Sequence, residues 1–375
     1  MPIRARTTLF YLLFAVAIIA GLIIALLTFI EMAPVFGGEA TGEYKEQLLN
    51  SPNYDGNKFQ NLDKKPMVLV KGKVRSLWEF LFQDRQQGSP QKAISTAKFS
   101  KEDFISRDNA YAWFGHSTIL IRLGAKTIVA DPVFDRASPV QFIGPRSFPM
   151  SNPPSIKDLP DEIDIILITH DHYDHLDYRT IKRIHGGVKN FIVPLGVKVH
   201  MLKWGVAAEK IAELDWYDST AVEGLKVILT PTKHHSGRTA TKRMSTLWGG
   251  WIIKSRTKTI YISGDGGYSP EFKKIGEKYG PFDLSFMENG AYNKAWSHSH
   301  MFPEESVMAG IDTKSQLVIP VHWGRYNLSV HPWAEPIARF SQEAIKKKLN
   351  FIVPPIGEIF TEDSVASHRW WEESL

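Results

Sequence analysis

The sequence predicts an α/β protein: two β-sheets with helices packed outside them, carried behind one N-terminal transmembrane helix. Three observations lead there. From Ala110 onward, β-branched apolar runs of four to eight residues recur between turns and a few helical segments, the pattern of layered sheets and helices. Near the N-terminus, the stretch Leu9–Ile30 contains no charged residue. The composition, 43% apolar and 23% charged over 375 residues, is that of a globular chain and excludes wholesale disorder. No internal period of solenoid length is present.

The elements follow in chain order. As a helix, "LFYLLFAVAIIAGLIIALLTFI" would run roughly 33 Å, enough to cross the hydrocarbon core of a bilayer. Arg4 and Arg6 precede it, while Glu31, Glu39 and Glu43 follow. The positive-inside rule then keeps the N-terminus cytoplasmic and the body on the far side, which is periplasmic in a bacterium. A cleaved signal peptide would have a shorter apolar part and a small-x-small site near Glu31, so residues 1–31 read as an uncleaved single-pass anchor. Residues 32–66 are rich in Gly, Pro, Asn and Lys and read as a linker. In "VRSLWEFLFQDRQQ", Leu77, Phe80 and Leu81 share one helical face, which packs on the main domain or touches lipid. The span 32–105 is therefore an extension, and 106–375 is the main domain.

Within that domain "STILIRLG" and "KTIVADPVF" form a strand pair joined at Gly124. "IDIILIT" and "NFIVPL" are strands flanking the helical "YRTIKRI". The runs "LKVILTPT", "LWGGWIIKS", "TIYISGD", "DLSFM" and "QLVIPVH" complete the strand set.

The chemistry is concentrated where strands end. There are no cysteines, so disulfides and thiolate metal sites are excluded and any metal must use His, Asp or Glu. The net charge of +5 forms no long basic block, and no nucleic-acid footprint is expected. In "THDHYDH", His170, His172, Asp174 and His175 follow the apolar run Ile165–Ile168 directly. A turn leaving a buried strand can aim all four at one point, with Asp177 capping the helix that starts near Tyr178. Imidazole with carboxylate suits zinc, with iron or manganese as alternatives. Four ligands from one loop crowd a single tetrahedral centre, which suggests two ions. Three further strand-like runs end on a candidate ligand: His234 (with His235 beside it), Asp265 and His322. Two metals sharing a bridging carboxylate would use all seven residues.

These residues, in this order, resemble the metallo-β-lactamase superfamily. "WFGHSTILI", "ADPVFDRASPVQFIGP", "ITHDHYDHLDY", "GDGGYSPEFKKIGEKYGPFDL" and "HWG" are similar to N-acyl-phosphatidylethanolamine-hydrolysing phospholipases D and their bacterial relatives, over roughly residues 70–345. The resemblance implies an αββα sandwich with its site between the tops of the two sheets. It implies that His170, His172 and His234 hold one zinc, that Asp174, His175 and His322 hold the other, and that Asp265 bridges them. It leaves His235 as a neighbour. It also implies a catalytic role for Asp174, which would orient the nucleophile, and for His300, beside the scissile phosphate. Phe302 stands where the family carries an acid.

The expected activity is hydrolysis of a phosphodiester, in a phospholipid, by metal-activated hydroxide. The alternative keeps the metals and opens a small or sugar-phosphate lactone. A third reading, a membrane-tethered scaffold, leaves the complete ligand set unexplained. The implied partners are a phospholipid or other small-molecule substrate and a membrane, with a homodimer allowed. Trp113, Trp248, Trp251, Trp296 and Trp323 either line an acyl groove or pack the core.

Overall fold

The computed structural model describes residues 3–65, 87–142, 144–364 and 369–375, with side chains from residue 10 onward. The stretch around Leu77, Phe80 and Leu81 lies outside the described residues. Helix α1 spans Ile3–Met32. Its span Phe10–Met32 is long and apolar enough to cross a membrane, and it touches the body near its end, where Phe29 meets Phe36 and Lys203 Nζ reaches the Glu31 carbonyl at 3.2 Å. A membrane anchor fits it.

Two sheets form the body. The first runs in the order β13-β1-β2-β3-β4-β5-β6. Its strands are β1 (Asn109–Trp113), β2 (Ile119–Leu123), β3 (Lys126–Ala130), β4 (Ile163–Leu167), β5 (Val188–Pro194), β6 (Ile211–Leu214) and the short β13 (Ile359–Phe360). Pairing is antiparallel from β13 to β3 and parallel from β3 to β6. The second sheet is ordered β12-β11-β10-β9-β8-β7. It comprises β7 (Ser219–Val222), β8 (Leu225–Thr230), β9 (Gly250–Lys254), β10 (Thr259–Ile262), β11 (Leu284–Glu288) and β12 (Val318–Val321). The first turn was foreseen: β2 and β3 pair antiparallel around Gly124, whose φ of +59° suits a residue without Cβ.

The sheets stack because alternate residues of each strand are apolar on the same side. Ile165 and Leu167 of β4 join Trp251, Ile253, Tyr261 and Phe286 of the second sheet in one core. Ile166 and Ile168 point the other way and meet Ile181 and Met201. Those two belong to helices α4 (Tyr178–Ile184) and α5 (Lys198–Lys203). A strand buried on both faces reads as an unbroken apolar run, which is why "IDIILI" shows no alternation. Outside the second sheet, Ile275 of α6 (Glu271–Tyr279), Val307 of α7 (Pro303–Asp312) and Phe340 of α8 (Glu335–Lys347) are buried at the same core. The layers are therefore αββα, as expected. Two bonds pin the sheets together at one rim, from Trp251 Nε1 to the Ile168 carbonyl (3.1 Å) and from Gly249 N to the Thr169 carbonyl (3.0 Å).

The stretch 32–66, expected to be a linker, is docked in its described part. It holds α2 (Gly42–Leu48) and buries Val35, Phe36, Leu48 and Phe59. Phe59 N donates to the Met244 carbonyl at 2.8 Å. Asn61 brackets His234, its amide nitrogen reaching the His234 carbonyl at 2.7 Å while its oxygen accepts His234 N at 3.1 Å. The apolar residues here are sparse because each fills a separate crevice, and that produces no periodicity. At the other end of the chain, after a third short helix α3 (Lys101–Ser106) and the whole sandwich, Trp370 and Trp371 pack on Trp323 with ring centroids 5.4 and 6.1 Å away.

Docking of this segment has a measurable consequence. Phe59→Ala should lower unfolding free energy by about 3–5 kcal/mol, the cost of emptying an aromatic core site. Leu62→Ala, at a half-exposed side chain, should stay within about 0.5 kcal/mol. Denaturant unfolding of the detergent-solubilised protein checks both; equal small effects would restore the linker reading.

Candidate metal centre

The centre is built at the rim where β3, β4, β8, β10, β11 and β12 end. After β4, Ile168 and Thr169 leave the sheet, and His175 N and Leu176 N both bond back to the His172 carbonyl at 3.0 and 2.8 Å. This tight turn keeps four side chains of the loop on one side. The following helix starts cleanly, because Asp177 accepts from Arg179 N (3.1 Å) and Thr180 N (3.2 Å) as an N-cap. Asp131, at the end of β3, braces the loop from below. Its buried carboxylate accepts Thr169 N at 2.8 Å, Thr169 Oγ1 at 2.6 Å and His175 Nδ1 at 2.7 Å.

These bonds fix which imidazole nitrogens stay free. His175 donates Nδ1–H to Asp131, which turns its Nε2 toward the cluster. Thr169 Oγ1 spends its proton on Asp131 and accepts from His170 Nδ1 at 3.0 Å, which frees His170 Nε2. His234 Nδ1 donates to the Ser299 carbonyl at 2.9 Å, which frees its Nε2. The freed nitrogens converge. His172 Nδ1 is 2.8 Å from His170 Nε2 and 3.4 Å from His234 Nε2. Burial first, and then the neighbouring imidazoles, push His170 and His234 well below the ordinary histidine range, so both are neutral.

A second group lies beside the first. His175 Nε2 and His322 Nε2 approach Asp265 Oδ2 at 3.2 and 3.0 Å and Asp174 Oδ2 at 3.5 and 3.4 Å. Asp265 Oδ2 also lies 4.0 Å from His170 Nε2 and 3.9 Å from His234 Nε2, so it stands between the two groups. Burial would lower the His322 pKa, but Asp265 and Asp174 outweigh it and lift it to about 10. The two carboxylates therefore demand positive charge at this point. Converging ring nitrogens, the buried Asp265 and the part-exposed Asp174 are what a cation-binding site offers. The donor set fits a metal ion.

All seven predicted ligands are thus brought together, and His300 joins them. Its Nδ1 is 3.2 Å from Glu288 Oε1 and 3.8 Å from Asp265 Oδ2. His235 sits one ring away, 4.7 Å from His234 between centroids, and lines the cavity rather than the ligand cluster. That cavity, about 360 Å³, opens over His172, Asp174, Asp265, His300 and His322. Of the tryptophans offered for an acyl groove, only Trp296 lines it. Trp113, Trp248, Trp251 and Trp323 are core residues whose ring N–H groups bond to buried carbonyls. Phe302, where an acid was expected, packs its ring 5.1 Å from that of Tyr292, and Glu305 takes over the helix start by accepting Phe302 N at 2.9 Å.

Several supporting residues escaped the sequence reading. His116 places Nε2 2.9 Å from Asp174 Oδ2, and burial, then His322, lower its pKa to about 3, so it donates to that carboxylate as a neutral ring. His116, Asp131 and His322 all have left-handed backbones, with φ of +54°, +43° and +70°. Such geometry costs about 1–3 kcal/mol per residue and persists only where surroundings enforce it. Here His116 N bonds to the Trp323 carbonyl and His322 N to that of His116, both at 2.8 Å. Glu288, buried at the end of β11, faces His300 and lies 3.6 Å from His322 Nδ1. Gly290 must follow it closely, because a Cβ there would stand 1.9 Å from the His322 carbonyl oxygen. Asp171 points away from the cluster: His200 accepts Gly38 N at Nδ1 (3.0 Å), so its Nε2–H donates to Asp171 at 3.2 Å. Burial would raise the Asp171 pKa, but His200 and the nearby Arg238 hold it down to about 2.

Known proteins resemble this chain in sequence and in fold. The family pattern described as "Beta-lactamase superfamily domain" matches residues 126–323. An uncharacterised Mycobacterium tuberculosis protein is 38% identical over 331 residues, covering 86% of this chain and 87% of its own. N-acyl-phosphatidylethanolamine-hydrolyzing phospholipase D 1 of Caenorhabditis elegans is 36% identical over 282 residues, 69% of this chain and 78% of that protein. A metallo hydrolase from the archaeon Ignicoccus hospitalis superposes with a TM-score of 0.52 at 21% identity, covering 68% of this chain and 98% of its own, and shares the fold.

Asp131 offers a test that needs no substrate. Asp131→Asn keeps the shape but weakens the brace on Thr169 and His175, and the loss of such a partner costs about 10- to 100-fold in metal affinity. Chelator competition on the purified protein should show that drop; unchanged affinity would detach Asp131 from the centre.

Proposed function

The chain belongs to the metallo-β-lactamase superfamily and is a hydrolase of that family, and from this we propose that it cleaves a phosphodiester bond in a phospholipid, as a phospholipase D acts. The observation that carries the reading is the meeting of seven donor residues, four of which (His172, Asp174, Asp265 and His322) line one cavity with His300, in a chain 36% identical to a phospholipase D over 282 residues. The apolar helix α1, which fits an anchor, supports a lipid substrate. By the charge pattern at its ends, the body lies on the non-cytoplasmic side.

In this reading His170, His172 and His234 would hold one zinc and Asp174, His175 and His322 a second, with Asp265 placed to serve both groups. Zinc bound there would supply a lowered water pKa and a polarised phosphoryl oxygen. The protein's own groups do the rest. Asp174, held from behind by His116, orients the attacking water through its carboxylate. His300, with its Nδ1 edge turned to Glu288, lines the cavity and offers a hydrogen bond to a phosphoryl oxygen. Trp296, Ala291 and Leu328 give the cavity an apolar wall suited to the start of an acyl chain.

Zinc-loaded protein in detergent should release phosphatidic acid from N-acyl-phosphatidylethanolamine. His300→Ala should lower kcat by about 10²- to 10³-fold while keeping its metal, the usual loss for one preorganised donor. Turnover of lactones but not of any phosphodiester would replace this reading by the lactonase one.

A further inference from the structure

The catalytic cavity shares one residue with a second, smaller crevice. Arg243 lines the cavity together with His172 and His235. It also lines a crevice of about 120 Å³ with Gly38, Glu39 and Lys242. Its place is built in. Met244 N bonds to the Ser236 carbonyl at 2.9 Å, closing the loop that leaves His234 and His235. A Cβ on Gly237 would stand 2.9 Å from the Arg243 Cα, so the loop folds back on itself only because that position is glycine. Lys242 next door is committed to Glu39 at 2.8 Å. Arg243 makes no ion pair and no side-chain hydrogen bond among the described residues, and its side chain is exposed.

The charge inventory of the cavity makes this informative. Its lining carries two carboxylates, Asp174 and Asp265, and both face the imidazoles of the metal centre. Arg243 is the one Lys or Arg among the described lining residues. A guanidinium stays charged at any working pH and presents a planar fork that matches phosphate oxygens two at a time. The crevice it shares is lined in part by the segment that follows the apolar helix, at Gly38, Glu39 and Ala40. That segment is held rigidly, with Arg238 bonding to the Val35 carbonyl at 2.9 and 3.0 Å, Trp204 Nε1 to the Pro34 carbonyl at 2.7 Å and Lys203 Nζ to the Gly37 carbonyl at 2.9 Å. Arg243 thus stands between the exit of α1 and the metal centre.

We propose that Arg243 is the anion-recognising residue of the catalytic cavity and selects substrates that carry the negative charge of a phosphodiester, an inference that rests on the phosphodiesterase reading above. The recognised charge is a phosphodiester monoanion, in a lipid headgroup or a soluble diester. A neutral lactone gains nothing from this contact.

The test uses full-length, metal-loaded protein in detergent, with Arg243→Gln and Arg243→Lys. Binding of diethyl phosphate, read by calorimetry, should weaken about 10- to 100-fold in R243Q, the range for a lost charge-assisted hydrogen-bonding pair, and recover in part in R243K. KM for bis(4-nitrophenyl) phosphate and for N-acyl-phosphatidylethanolamine should rise by a similar factor, with kcat within about threefold, metal content unchanged and lactone turnover unaffected. Equal rises assign the recognised anion to any phosphodiester, and a larger rise for the lipid assigns it to the headgroup. An unchanged dissociation constant for diethyl phosphate overturns the proposal, as does an equal rise in KM for a neutral lactone. Failure of the wild type to hydrolyse either diester would instead sink the phosphodiesterase reading, while the diethyl phosphate measurement would still decide the role of Arg243.

Discussion

A buried carboxylate set between two groups of imidazole nitrogens is the constraint on which the rest depends. Asp265 Oδ2 lies within 3.2 Å of His175 and His322 and about 4 Å from His170 and His234. A buried anion needs compensating charge, and bare imidazole lone pairs do not supply it. The arrangement is stable only with protons or cations among these groups. The fold's contribution is to hold them there: β4, β8, β10 and β12 end at one rim, each delivering a donor, and Trp251 and Gly249 bolt the two sheets together beside it. Sites carried on sheet ends are more precise than sites on free loops.

The rear of the metal loop is tied to the beginning of the chain. Arg238 donates to the carbonyls of Asp171 (2.6 Å) and Leu176 (2.8 Å) and, with its other nitrogens, to that of Val35. His200 joins Gly38 to the Asp171 carboxylate. The body is therefore not suspended from α1 by slack chain, because the first residues after the helix are part of the scaffold of the centre. Removing them would take carbonyl acceptors from a buried guanidinium, a loss of several hydrogen bonds at once.

Much of this was legible in the sequence. The strand ends could be read because ligand types are rare directly after apolar runs, and "THDHYDH" packs them at a density a solvated loop has no reason to show. What stayed hidden has physical causes. His116 sits in "GHST", where nothing local marks it, since its role depends on a left-handed backbone held by Trp323 from across the chain. Glu288 ends a buried strand in "MENG" and has meaning only beside His300 and His322. Four of five tryptophans went to the core because bulky rings near strand ends fill the space between sheets. The supposed linker carried no period, and docking through isolated side chains such as Phe59 and Asn61 leaves none.

In the proposed function two cations would share Asp265. A crystal structure of the zinc-loaded protein, with anomalous data at the zinc edge, measures it directly. The account predicts two peaks on either side of the Asp265 carboxylate, one reached by His170, His172 and His234, the other by Asp174, His175 and His322. A single peak, or peaks that do not touch Asp265, would contradict it.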